Sequence, residues 1–140
     1  MTAIYTASAT ATGDGRNGHS RSSDGVIDVD LATPVEMGGP GGATNPEQLF
    51  ATGYAACLLS ALKLVARRAK APVADVAVTV DIGLNANGAG GFVLSADLHV
   101  EMSGVDQATA DGLVATAHQV CPYSNATRGN IEVTIDTLVA

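Results

Sequence analysis

The chain has 140 residues, the length of one ordinary domain, and its 46% hydrophobic and 15% charged content is that of a globular chain and not a disordered one. A formal net charge of -7 gives nucleic acid and anionic membrane surfaces nothing to hold, because phosphate recognition needs clustered Lys and Arg. Met1 to Tyr5 carries no basic region followed by an apolar run, and no apolar stretch reads as the roughly 18 residues that cross a bilayer, so a cytoplasmic protein is expected, with no membrane partner.

Two cysteines, Cys57 and Cys121, are too few for a secreted disulfide framework. A reducing compartment would keep a merely structural bridge open, so any pairing between them would be catalytic or redox-sensing.

Small and β-branched residues alternate from Ala3 to Thr12, and a second alternating run, Val26 to Leu31, reads as the antiparallel neighbour of the first. Between them Gly13-Asp14-Gly15-Arg16-Asn17-Gly18 matches the dinucleotide pattern GxGxxG. The next segment, His19 to Gly25, is turn-like where a helix would have to receive the pyrophosphate, so the match reads as a hairpin turn presenting Arg16.

Gly38-Gly39-Pro40-Gly41-Gly42 is a loop. Directly after it Thr44-Asn45-Pro46-Glu47 supplies a capping residue, a proline for the first helical position and an acid in the first turn. The helix that starts there runs through Leu49, Phe50, Tyr54, Cys57, Leu58, Leu59, Leu62, Leu64 and Val65 and is apolar on nearly every side. It ends near Arg67-Arg68-Ala69-Lys70 and reads as a buried central helix. Alternation over Val76 to Leu84 and Phe92 to Met102, with turn residues Asn85 to Gly91 between, predicts two paired strands. Val105-Asp106 opens a second helix that Cys121-Pro122 ends, and Ile131 to Asp136 is a last strand. The pattern predicts a single α+β domain over residues 1–140, with antiparallel sheets wrapped around the central helix.

Cys57 sits mid-helix among Gly53, Ala55, Ala56, Ser60 and Ala61, and taken alone such a cysteine is more often a small buried hydrophobe than a nucleophile. Cys121, at a helix end before a proline, reads as the more exposed of the two. His118-x-x-Cys121 could place two metal ligands on one face, but His19, His99 and Cys57 are scattered, so no metal site is expected. A cysteine hydrolase would need His99 or His118 brought to Cys57 by the fold alone.

Three segments carry a resemblance: Gly38 through Phe50, then Gly53-Tyr54-Ala55-Ala56-Cys57, then Cys121-Pro122-Tyr123-Ser124-Asn125-Ala126-Thr127-Arg128-Gly129-Asn130-Ile131. They are similar to the organic hydroperoxide resistance (Ohr) family, and the Cys121 segment separates the chain from the related osmotically induced (OsmC) branch. The resemblance implies an OsmC-like fold and an intertwined homodimer with two sites at its interface. It further implies a cysteine-based peroxidase in which Cys57 attacks an organic or fatty-acid hydroperoxide and Cys121 resolves the sulfenic acid. Arg16 and Glu47 match the family's arginine and glutamate. The turn holding Arg16 is one residue longer than the commoner form, which leaves Arg21 as the other candidate. No bound cofactor is implied; the reductant implied is an external dithiol, the lipoyl group of a carrier protein.

A thiol with an ordinary pKa near 8.5 is mostly protonated at neutral pH, so attack on a peroxide needs a nearby cation. Cys57 lies beyond the first helical turn, where the dipole acts, which leaves a guanidinium such as Arg16 fixed by Glu47. On a straight helix Glu47 and Cys57 are about 15 Å apart along the axis and point in different directions. Either the helix breaks near Gly53 or Glu47 reaches the site from a second subunit, and the second is favoured. A lining of Leu49, Phe50, Leu58 and Tyr123 would suit an alkyl chain. The rival readings are a noncatalytic small-lipid binding protein and a peroxide sensor that oxidises a partner.

Overall fold

A strand needs partners before it needs apolar residues, and the N-terminal part of the chain illustrates this. The computed structural model describes all residues 1–140, which fall into two compact units, Met1–Leu49 and Phe50–Ala140. In the first unit, β1 (Ala9–Thr12), β2 (His19–Ser22) and β3 (Asp28–Asp30) form an antiparallel sheet in that order. The expected pairing of the first run with Val26 to Leu31 is therefore corrected: β2 lies between them, pairing Thr12 with His19 and His19 with Asp30. β2 is polar throughout, and what holds it is the backbone ladder and an ion-paired histidine, neither of which leaves a hydrophobic period. His19 Nδ1 lies 2.8 Å from Asp30 Oδ1, and its Nε2 meets Asp28.

The turn that presents Arg16 is the hairpin connection read from its glycines. It contains a 3-10 turn, Gly15–Asn17, and a Cβ on Gly18 would lie 2.2 Å from the Thr12 carbonyl oxygen, so only glycine fits there. Asn17 Oδ1 accepts from the Thr33 backbone N–H at 2.9 Å and fastens the turn to the following segment.

Helix α1 runs Pro46–Arg68 without a break. Asn45 is its cap, its Oδ1 accepting from the Gln48 N–H at 2.9 Å, with Pro46 in the first position. Tyr54, Leu58, Ala61, Leu62, Val65 and Ala66 recur at helical spacing and are buried. Ala56, Ser60 and Lys63 on the opposite side are exposed, which corrects the expectation of burial all round: the core of this chain covers one face of α1. By length and composition α1 would also suffice to cross a membrane, contrary to the expectation from sequence, although a core helix meets the same condition.

The second sheet has the order β4-β5-β6, from β4 (Ala74–Ala86), β5 (Phe92–Ser103) and β6 (Glu132–Val139). β4 and β5 form the expected hairpin, with Ala86 opposite Phe92. β6 pairs with β5 in parallel, Ser95 with Glu132 through Met102 with Val139, so the expectation of wholly antiparallel sheets is also corrected. Periodicity reports which face a residue takes and is blind to strand direction; here α2 (Gln107–Val120) and α3 (Pro122–Thr127) supply the crossover that a parallel neighbour requires. Ala96, Leu98, Val100 and Met102 of β5 join the buried face of α1 and Ala110, Leu113, Val114 and Ala117 of α2 in one core. The fold is thus α+β, with a central helix and two sheets.

The solvent face of the second sheet carries a histidine between two carboxylates. His99 Nε2 lies 3.0 Å from Asp81 Oδ2 and its Nδ1 meets Asp136, so the centre strand is clipped to both neighbours. The Asp136 and Asp81 hydrogen bonds raise the His99 pKa above its ordinary value. A raised folded-state value stabilises fully below the unfolded value, about 6.5, and the contribution disappears as pH rises through the folded one. Thermal unfolding of wild type and His99→Gln from pH 6 upward should show a gap in midpoint that is widest near pH 6 and closes with rising pH. A gap that widens instead would contradict the clip.

Candidate active site

Cys57 lies one turn beyond Gly53 on α1 and is half-buried, whereas Cys121 is completely buried; both are free thiols. The expectation that Cys121 is the more exposed cysteine is therefore reversed. Pro122 does not lead into a loop: it opens α3 at the first position, making Cys121 both the last cap of α2 and the N-cap of α3. The Cys121 N–H donates to the Ala117 carbonyl at 2.8 Å, and its own carbonyl accepts from the Asn125 N–H at 3.0 Å. Backbone bonds on both sides thus fix the direction in which its side chain leaves the chain.

That position is beside Cys57. The two thiols are hydrogen-bonding neighbours, and the backbone N–H of Tyr123, which the first turn of α3 leaves without an intrahelical acceptor, donates to the Cys57 sulfur. Burial pushes the Cys57 thiol above its ordinary pKa, the Tyr123 N–H draws it down, and Cys121 pushes it up again, leaving it raised. Within its own unit, then, Cys57 is held as a thiol.

Aromatic rings stand around this pair. Phe50 meets Tyr123 edge to face at 5.8 Å and Tyr54 at 6.2 Å, and Tyr54 and Tyr123 are 5.6 Å apart. Gly53 makes the approach possible: a Cβ there would lie 2.8 Å from the Tyr123 hydroxyl oxygen. Of the residues expected to line a pocket, Phe50 is partly buried and Tyr123 partly exposed, Leu49 is exposed in the other unit, and Leu58 is turned into the core at 1% exposure.

In the first unit Arg16 and Glu47 form a two-pronged ion pair, Nη1 to Oε2 at 2.8 Å and Nη2 to Oε1 at 2.6 Å. Arg16 holds the Glu47 carboxyl below the usual range. Arg21, the other candidate, lies 3.7 Å from Asp28. His118, a candidate metal ligand by its spacing from Cys121, is hydrogen-bonded through Nδ1 to Ser124 Oγ at 2.8 Å.

Sequence reasoning misses Tyr54, Ser124 and the Tyr123 N–H as parts of this setting. The proline after Cys121 is the available signal, since it suits a helix start as well as a stop.

The chain is similar to known proteins over nearly its full length. Residues 39–136 match the family model described as OsmC-like protein. The chain is 52% identical over 134 residues to an organic hydroperoxide resistance protein of Xanthomonas axonopodis pv. citri, covering 94% of this chain and 93% of that one. Among solved structures it is similar to an organic hydroperoxide resistance protein from Legionella pneumophila, at 50% identity and a TM-score of 0.94 over 99% of this chain and 100% of the other. It is also similar to a Vibrio cholerae protein of that description with captopril bound in one of its active sites, at 47% identity and a TM-score of 0.89 over 99% and 94% of the two chains. With two neighbouring cysteines on an OsmC-like α+β frame, the chain belongs to the Ohr/OsmC family, on the side of the organic hydroperoxide resistance proteins.

Proposed function

We propose that this protein is a thiol-dependent reductase of organic and fatty-acid hydroperoxides that works with two cysteines. The observation that carries the reading is the juxtaposition of a reachable thiol, Cys57, with a completely buried one, Cys121, on separate elements of the chain. A small-lipid binder has no need of that arrangement.

The Cys57 thiolate attacks the distal peroxide oxygen; the O–O bond breaks and the departing alkoxide takes a proton and leaves as an alcohol. Cys57 is then a sulfenic acid. The Cys121 sulfur attacks the Cys57 sulfur, the S–O bond breaks, and hydroxide leaves as water with the Cys121 proton. A disulfide remains, and an external dithiol, the lipoyl group of a carrier protein, returns it to two thiols with two electrons and two protons.

Thiolate formation needs a cation, because Cys57 is raised in its own unit. α1 passes through Gly53 unbroken, so Glu47 and Cys57 stay on one straight helix and point apart. The reading therefore takes the protein as a homodimer in which the partner subunit's Arg16, fixed by the partner subunit's Glu47, faces Cys57 and the peroxide. The exposed far side of α1 supports a second copy there. Phe50 and Tyr123 favour an alkyl chain over hydrogen peroxide, and Leu58 backs them from the core. Two free thiols that must be re-reduced suit the cytoplasm, with neither nucleic acid nor membrane as partner.

Cys57→Ser should abolish turnover, and Cys121→Ser should consume about one equivalent of peroxide and then stall or overoxidise; sustained turnover by Cys57→Ser with a dithiol would end the proposal. Arg16→Ala should raise the Cys57 pKa and slow attack at neutral pH at least about tenfold, read from alkylation rate against pH. A verified monomer of full activity would contradict the partner's role. Peroxide consumption with dihydrolipoamide, against glutathione and thioredoxin, should favour the lipoyl donor and strongly prefer a bulky alkyl hydroperoxide to hydrogen peroxide. Equal rate constants for the two peroxides would remove the assignment of substrate class.

A further inference from the structure

Three buried hydroxyls and one imidazole tie α1, α2 and α3 together beneath the cysteines, and the two-step peroxide chemistry does not use them. Ser124 Oγ lies 2.8 Å from Tyr54 Oη and 2.8 Å from His118 Nδ1, and Tyr54 Oη lies 3.0 Å from Thr127 Oγ1. Tyr54 and Ser124 are both completely buried. Each hydroxyl has one proton to donate. With His118 accepting at Nδ1, the donations run Thr127 to Tyr54 to Ser124 to His118. With His118 donating, they run the other way and end on the Ser124 carbonyl, 3.3 Å from Thr127 Oγ1. Either way every buried group is satisfied, so the chain holds its geometry whichever tautomer His118 adopts. Arg128 closes the bottom, donating from Nη1 to the His118 carbonyl at 2.8 Å and from Nη2 to Asn125 Oδ1 at 2.7 Å.

What these bonds seat is α3. Its six residues are too few to hold a helix by themselves. Cys121 caps it and Tyr123 delivers the N–H to Cys57, so a shift of α3 moves both. Cys57 is carried on α1, which keeps its place through Leu58, Leu62 and Val65 in the core.

We propose that Tyr54, Ser124 and His118 are positioning residues for the second sulfur, setting the rate at which Cys121 closes on the Cys57 sulfenic acid and bearing on peroxide attack only through the single Tyr123 N–H. The inference rests on the two-cysteine reading. In the step concerned the S–S bond forms as the S–O bond breaks and water leaves, and its rate depends on how often the two sulfurs meet in line.

The test adds one equivalent of tert-butyl hydroperoxide to each reduced protein in the presence of dimedone, and follows peroxide loss and the partition of Cys57 between disulfide and dimedone adduct. Tyr54→Phe keeps the ring and its contacts with Phe50 and Tyr123; Ser124→Ala removes the node of the chain. In both, disulfide closure should slow about tenfold, the scale of one lost buried hydrogen bond, and peroxide loss by a smaller factor, with adduct accumulating in proportion. His118→Asn, which keeps a polar atom near the Nδ1 position, should close almost as wild type does, and His118→Ala should behave like Ser124→Ala. Wild-type partition in Tyr54→Phe and Ser124→Ala would overturn the inference. So would parallel loss of both steps with the thermal midpoint, which is the mark of a merely structural role. A wild-type protein that forms no disulfide at all would overturn the two-cysteine reading, and this inference with it.

Discussion

The approach of the Cys121 sulfur to the Cys57 sulfur is the constraint around which the second unit is organised. It requires two helices from distant parts of the chain to meet at a point where side-chain bulk is missing, and Gly53 provides that point under Tyr123. It also requires the later helix to break and restart, which Pro122 accomplishes by taking the one helical position that needs no N–H donor. The core beneath then fixes the angle: Leu58 and Leu62 of α1, Ala110 and Ala117 of α2, and Leu98 of β5 are all buried together.

Electrostatically the same arrangement favours the protonated thiol. Burial next to another thiol disfavours an anion, and a single neutral N–H donor from Tyr123 does not offset it. The Arg16–Glu47 pair is of the opposite kind, a rigid two-pronged guanidinium–carboxylate clamp on a glycine-shaped turn. Two charge-assisted bonds hold that guanidinium in one orientation, and a fixed charge loses less on engaging an anion than a mobile one does.

The parts legible in the sequence are those with local signals. Asn45-Pro46-Glu47 announces the start of α1 and Arg67-Arg68 its end; alternation announces β4, β5 and β6. β2 is invisible because His19-Ser20-Arg21-Ser22 has no apolar member, and its stability comes from neighbours on both sides. The direction of β6 and the one-sided burial of α1 depend on what packs where, which a periodicity cannot encode. Both cysteines and the Arg16 and Glu47 assignments come through family motifs, and the structure adds the pairing of Arg16 with Glu47 in preference to Arg21. The burial of Cys121 escapes the sequence because a proline at a helix end reads as an exit as readily as a restart. The Tyr54, Ser124 and His118 bonds join residues far apart in the chain, and no spacing rule connects them.

The parallel placement of β6 bears on how the molecule is made. A parallel strand can pair only after its whole crossover has been synthesised, so one edge of β5 stays open until Glu132–Val139 emerges and zips along it. Up to that moment the backbone groups along one side of β5 are a template that another chain could pair with, the commonest hazard of an open strand edge.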